Sequence, residues 1–199
     1  MKKAVYILLF ILIALAVYKV IWREEKIKTE TTTRIDFQIK KIRKLVKNNP
    51  KYNKEIVFLI DMKIPSGKNR FFVYDLKKNK IIDKGIVAHG SGSETGIQGK
   101  LKFSNVPNSY STSLGNYSIG NYYYGRFGKA YKLYGLDATN SNALERDIVF
   151  HYYYNVPYKE KDGYICNSLG CPMVNKQYFE RIAKIIDASK SNILMSIYY

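Results

Sequence analysis

The stretch Asn167-Ser168-Leu169-Gly170-Cys171, read with His151 at the end of the apolar run Ile148-Val149-Phe150, decides how the rest of this 199-residue chain is read. A cysteine directly after a glycine, with a histidine upstream, is a candidate nucleophile and its base. The thiolate is the reactive form, and a neighbouring imidazole can take the thiol proton. Gly170 permits a sharp turn, so backbone N–H groups around Cys171 would face a developing oxyanion. The plain alternative is structural. A lone cysteine is often a small buried hydrophobe, and a lone histidine in a strand is often a core residue with satisfied nitrogens.

Ordered motifs around this pair narrow the choice. Val87-Ala88-His89-Gly90 leads into Gly92-Ser93, followed by Phe103-Ser104-Asn105 and by Ser113-Leu114-Gly115 with Tyr117. Then come Gly135-Leu136-Asp137, Asn140 with Asn142-Ala143, and Arg146-Asp147-Ile148-Val149-Phe150-His151. Together with Ser168-x-Gly170-Cys171, this series resembles the L,D-transpeptidase (YkuD-like) catalytic domain family, specifically the murein L,D-transpeptidase catalytic domain-like subgroup, over residues 55–199.

The resemblance implies a mainly β, sandwich-like catalytic fold with one or two helices. It also implies acyl transfer on peptidoglycan stem peptides through a Cys171 thioester, with no metal and no cofactor. Cys171 is then the nucleophile and His151 its base. Gly170 supports the oxyanion site, and Ser168 steadies His151 or substrate, or shapes the turn. His89, Gly90 and Asn167 are expected to meet substrate, although a structural hydrogen bond would equally explain His89. Three positions depart from the pattern: Met173 stands where many relatives have Arg, Tyr152 where they often have Gly, and Asn167 where close relatives often have Arg. Rival readings are an L,D-carboxypeptidase or other cysteine hydrolase, and a non-catalytic, membrane-tethered wall-binding module.

Composition sets the surroundings. The chain carries 33 Lys plus Arg against 16 Asp plus Glu, a formal net charge of +17. Such an excess suits anionic partners such as acidic membrane or wall polymer, or reflects a lysine-rich proteome. Nothing concentrates the charge on a nucleic-acid motif. Two cysteines, Cys166 and Cys171, make neither a disulfide framework nor a zinc ligand set. Cys171 is read as free, with Cys166 a packed thiol.

After Met1-Lys2-Lys3, residues 4–22 are almost wholly apolar, and at about 1.5 Å rise per residue such a helix matches a bilayer's hydrocarbon thickness. The expectation is an uncleaved signal-anchor at residues 1–23, with the catalytic domain on the periplasmic or extracytoplasmic side. Ala14-Leu15-Ala16 offers a cleavage site as the rival. Residues 24–54 read as a threonine-rich linker and an amphipathic helix. That helix is capped by Thr33, buries Ile35, Ile39, Ile42 and Leu45-Val46, and stops at Asn48-Asn49-Pro50.

Strand patterns follow at 56–60, 71–76 and 81–88, the second and third forming a hairpin, and again at 147–151 and 192–199. A helix is expected over 177–187 with Phe179, Ile182, Ala183 and Ile186 on its inner face. The glycines between His89 and Gly99 make a loop rather than a phosphate-binding one, because Glu94 and Leu101 occupy positions where that motif needs Gly and Ser or Thr.

Overall fold

A computed structural model describes residues 2–47 and 49–199, with the side chains at 2, 4, 5 and 8 outside that description. The described chain divides into two compact units, one ending at Phe37 and one running Gln38–Tyr199.

The first unit is helix only, part of α1 (Lys2–Lys47). The single-pass anchor expected at residues 4–22 is not found: among the described residues, no helix is long and apolar enough to cross a membrane. That expectation leaned on Ala4, Val5 and Leu8, whose side chains lie outside the description, as does Met1 of the basic start, and the run also carries Lys19. The expected linker is helical as well. Thr29, Thr32 and Thr33 donate their hydroxyls to the carbonyls of Glu25, Lys28 and Thr29 at 2.9, 2.9 and 3.0 Å. Bonding back one turn satisfies these β-branched residues without breaking the helix, so Thr33 is not a cap.

In the second unit the end of α1 buries Ile39, Ile42 and Val46 as its spacing predicts, while Leu45 faces outward. Arg43 Nη2 ties this turn to the Leu76 carbonyl at 2.6 Å. The expected stop falls partly on Asn48, which lies outside the described residues.

Among the described residues, nine strands form one hydrogen-bonded sheet. They are β1 (Tyr52–Asp61), β2 (Phe71–Asp75), β3 (Lys80–Gly85), β4 (Val87–Ala88), β5 (Gly115–Gly125), β6 (Gly128–Gly135), β7 (Val149–Tyr152), β8 (Met173–Val174) and β9 (Asn192–Tyr198), ordered β3-β2-β1-β9-β5-β6-β7-β8-β4. The predicted hairpin is present as β2 and β3. The predicted strand at 81–88 breaks at Ile86 into β3 and β4, which lie at opposite ends of the sheet order. Pairing is antiparallel except for β1 with β9 and β7 with β8.

One helix, α2 (Lys176–Ala188), begins where the Asn175 side chain accepts the Gln177 N–H at 2.9 Å. Its buried residues Tyr178, Phe179, Ile182 and Ala183 cover the sheet. Phe71 centres this layer, with ring centroids 5.4 Å from Phe58, 5.6 Å from Phe150 and 5.4 Å from Tyr178. Burying each such side chain contributes roughly 1.5–3 kcal/mol. The core thereby fixes β7, the strand that carries His151.

Several motif residues prove to be brackets. Asp137 Oδ2 accepts from the Asn116 N–H at 2.7 Å, Asn140 Nδ2 donates to the Asn116 carbonyl at 2.8 Å, and Asn142 Nδ2 donates to the Asn105 carbonyl at 3.1 Å.

Candidate active site

The sheet order brings Cys171 beside β7. β8 pairs in parallel with β7, placing Met173 opposite His151, and antiparallel with β4, placing Met173 opposite Ala88. Cys171, just ahead of β8, reaches the start of β7. Its Sγ accepts the Val149 N–H at 3.4 Å, and its S–H donates to the Asp147 carbonyl at 3.6 Å. Two uncommon backbone conformations make this possible, with φ +52° at Asp147 and +120° at Gly170. A Cβ at Gly170 would lie 3.0 Å from both Ile148 Cδ1 and the Ser111 carbonyl, so only glycine fits without displacement.

Cys171 and His151 line one cavity of about 600 Å³, with Phe127, Tyr153, Arg146 and Asn167 among its walls. The thiol's hydrogen-bond partners among the described residues are backbone groups of Asp147 and Val149, not the imidazole. His151 is oriented independently. Its Nδ1 lies 3.0 Å from the Tyr152 carbonyl, which can only accept, so Nδ1 carries the proton and Nε2 is left as the basic nitrogen. Phe127 stacks on the ring at 5.1 Å with planes 22° apart.

Burial pushes the His151 pKa below its ordinary value, against the opposing pull of the Tyr152 carbonyl. Burial likewise pushes the Cys171 thiol up, while the Val149 N–H and the Arg146 guanidinium act to lower it. The resting pair is therefore a neutral thiol and a neutral imidazole rather than a preformed ion pair.

Arg146 is the cation nearest in effect to the thiol, and it is firmly held. Nη1 donates to the Ser104 carbonyl at 2.8 Å, and Nη2 to the Ser111 carbonyl at 2.5 Å. The guanidinium's positive charge acts on the cysteine, favouring the thiolate.

Ser168 serves the turn. Its Oγ accepts the Gly170 N–H at 3.1 Å, so that amide is already committed and the Cys171 N–H is the better candidate for an oxyanion. Asn167 also lines the cavity, and its Oδ1 is buried without a hydrogen-bond partner among the described residues.

The family described as L,D-transpeptidase catalytic domain matches residues 24–198. This chain belongs to that family. Solved structures similar to it include the helical cell shape determining protein Pgp2 from Campylobacter jejuni, 14% identical, covering 81% of this chain and 54% of that one, with a TM-score of 0.41. Another is the L,D-transpeptidase from Xylanimonas cellulosilytica, 12% identical, covering 75% and 63%, with a TM-score of 0.39. A third is Bd1075 from Bdellovibrio bacteriovorus, 14% identical, covering 73% and 48%, with a TM-score of 0.43. The chain spans about half the length of the Pgp2 and Bd1075 chains. No curated protein matches it significantly.

Within this L,D-transpeptidase-family domain, the sequence-predicted residues separate into two groups. Cys171, His151, Ser168 and Asn167 come together at the cavity. His89 and Gly90 do not line it. His89 is 3% exposed and both ring nitrogens are engaged: Nδ1 accepts from Arg70 Nη2 at 2.8 Å, and Nε2–H donates to Glu94 Oε1 at 2.7 Å. These two bonds are the structural role that stood beside the expected substrate contact for this residue. Gly90 packs against the nucleophile turn, where a Cβ would lie 2.2 Å from the Tyr110 carbonyl and 2.9 Å from Gly170 Cα. Sequence reasoning assigned no role to Phe127 or Arg70. The stack on His151 had no local signal, but Arg70, a charge at the start of an apolar strand, was a visible anomaly.

Cys166 and Cys171 are both free thiols. Cys166 packs on the small cluster of Ile86, Ala88, Val156, Ile165 and Met173.

Proposed function

We propose that this domain is a cysteine acyltransferase of peptidoglycan stem peptides, an L,D-transpeptidase. The observation that carries the reading is the convergence of the Cys171 thiol and the fixed His151 imidazole on one cavity, in a chain of this family. As substrate enters, His151 Nε2 takes the Cys171 proton and Sγ attacks the carbonyl at an L-centre. A thioester forms, the C–N bond breaks, and D-Ala leaves carrying the proton from His151 on its amine. The Cys171 N–H stabilises the oxyanion. The amine of a second stem then attacks the thioester, forming an amide cross-link and returning the proton to the thiol. Water in place of that amine gives carboxypeptidase action.

Incubating the full chain with purified muropeptides and following products by mass spectrometry tests this. Cross-linked dimers with released D-Ala are expected. D-Ala release alone would favour the carboxypeptidase, and no turnover would leave a wall-binding module.

Because the base must be neutral and burial depresses its pKa, kcat/KM should rise with pH through an acid limb centred below the ordinary histidine value of about 6.5. A limb centred above that value would contradict His151 as a buried base.

On this reading the domain acts outside the cytoplasm, where stem peptides are cross-linked. Protease added to intact spheroplasts should then digest it. Protection until the cells are lysed would refute the location.

A further inference from the structure

The segment from β4 to Ser91 is laid along both sides of the nucleophile turn. Behind Cys171, β4 pairs with β8, Val87 opposite Val174 and Ala88 opposite Met173. Ahead of it, the Ser168 N–H donates to the His89 carbonyl at 2.8 Å, and the Ser91 N–H donates to the Ser168 carbonyl at 2.8 Å. This segment is thus a splint across residues 168–174, and Gly90 and Gly170 touch where it crosses the turn.

A single buried cation grips the splint. Arg70 is 1% exposed. Its Nε and Nη2 donate to the Val87 carbonyl at 2.9 and 2.8 Å, its Nη2 also donates to His89 Nδ1 at 2.8 Å, and its Nη1 reaches the Ile64 carbonyl at 3.2 Å. The far nitrogen of the same imidazole then donates to Glu94 Oε1 in the glycine-rich loop. Arg70 can only donate and a carboxylate can only accept, so the ring is held as the Nε2–H tautomer between them. A buried guanidinium is tolerated when its donors are engaged, and here Nε and Nη2 are spent on the splint. Asp61 and Glu94 are the anions whose fields oppose its desolvation.

We propose that Arg70, His89 and Glu94 form a positioning relay that fixes the register of the Cys171 turn against His151 on β7. The inference rests on the acyltransferase reading for its effect on turnover. None of the three touches the reacting atoms; they act through the backbone of residues 87–91. Misplacing a nucleophile by about 1 Å can cost on the order of 100-fold in rate, so loosening the splint should appear in kcat rather than KM.

Glu94 is half-exposed, which makes it the safest place to cut the relay. Glu94→Ala removes the acceptor and Glu94→Gln retains one. His89→Asn keeps an acceptor toward Arg70 but abandons Glu94. Each is made in the full chain carrying Cys166→Ser, and two quantities are read below the unfolding temperature: turnover on muropeptides, and the rate of Cys171 alkylation by iodoacetamide, located by peptide mass spectrometry. Glu94→Ala and His89→Asn should lower kcat about 10-fold or more with KM within about 3-fold, and should speed alkylation as the thiol leaves its backbone partners. Glu94→Gln should return both toward the parent values. A rise in KM alone would make His89 a substrate contact, and a fall in Tm with kcat and alkylation unchanged would make the cluster merely structural; either overturns the proposal. Should the parent chain be inert toward stem peptides, the alkylation series still decides the relay, and only the function is lost.

Discussion

Cys171→Ala is expected to lower turnover by about 10⁴-fold or more, the scale seen when a covalent nucleophile is deleted. The fold should survive. The side chain is half-buried, its two hydrogen bonds are weak sulfur contacts to Asp147 and Val149, and alanine needs less room than the thiol. Near-UV circular dichroism should match the parent while thioester formation, read by intact-protein mass spectrometry, disappears. Cys166→Ser serves as the control. That residue packs on Ile86, Ala88, Val156, Ile165 and Met173, so most activity should remain. Loss of activity in a folded Cys166→Ser protein, with turnover retained in Cys171→Ala, would exchange the roles of the two thiols.

His151→Gln should be nearly as severe, about 10³- to 10⁴-fold in kcat. A glutamine amide cannot take the proton, and it lacks the aromatic face that Phe127 covers. With a neutral resting thiol there is little thiolate to act unaided at pH 7, so the base is needed in every turnover. The double variant should be no slower than the worse single one, because two groups acting as a unit are lost together. Defects that multiply would separate His151 from Cys171 and end the dyad assignment.

What could be read in advance follows from how local each signal is. The run ending in His151 is continuous and apolar, and Phe150 and His151 are buried on β7, between β6 and β8. The stripe Phe179, Ile182 and Ala183 predicts α2 because a single helix face is buried against the sheet. By contrast, β5 and β6 make an extensive antiparallel pair that had no clear pattern in advance. Glycines at 115, 120, 125 and 128 interrupt the alternation, and tyrosines suit either face. Gly120 has a reason visible only in three dimensions: a Cβ there would lie 2.2 Å from Tyr134 Cε2. The threonines of α1 read as a linker because β-branched residues disfavour helix in isolation, while their bonds back along the chain depend on the helix already being there.

The site divides the same way. Cys171 and the glycine before it are adjacent in the chain, and His151 ends a short apolar run well upstream of them. His89 carries the same kind of signal as His151, and sequence alone cannot rank them, since the difference lies in distant partners. Arg70 stands in front of β2 and Glu94 in a loop beyond β4, and together they saturate one ring. The other ring is left a basic nitrogen facing the cavity. The oxyanion expectation, which took in the amides around both Gly170 and Cys171, narrows to Cys171 for a similar reason, because the Ser168 hydroxyl claims the Gly170 amide.

The partner that aims His151 is a peptide carbonyl, that of Tyr152. A carboxylate in that place would itself gain and lose protons, and its grip on the ring would change with acidity. A carbonyl has no such second state. Acid can therefore disarm this imidazole without turning it, and restoring the pH should restore a correctly pointed base with nothing to refold.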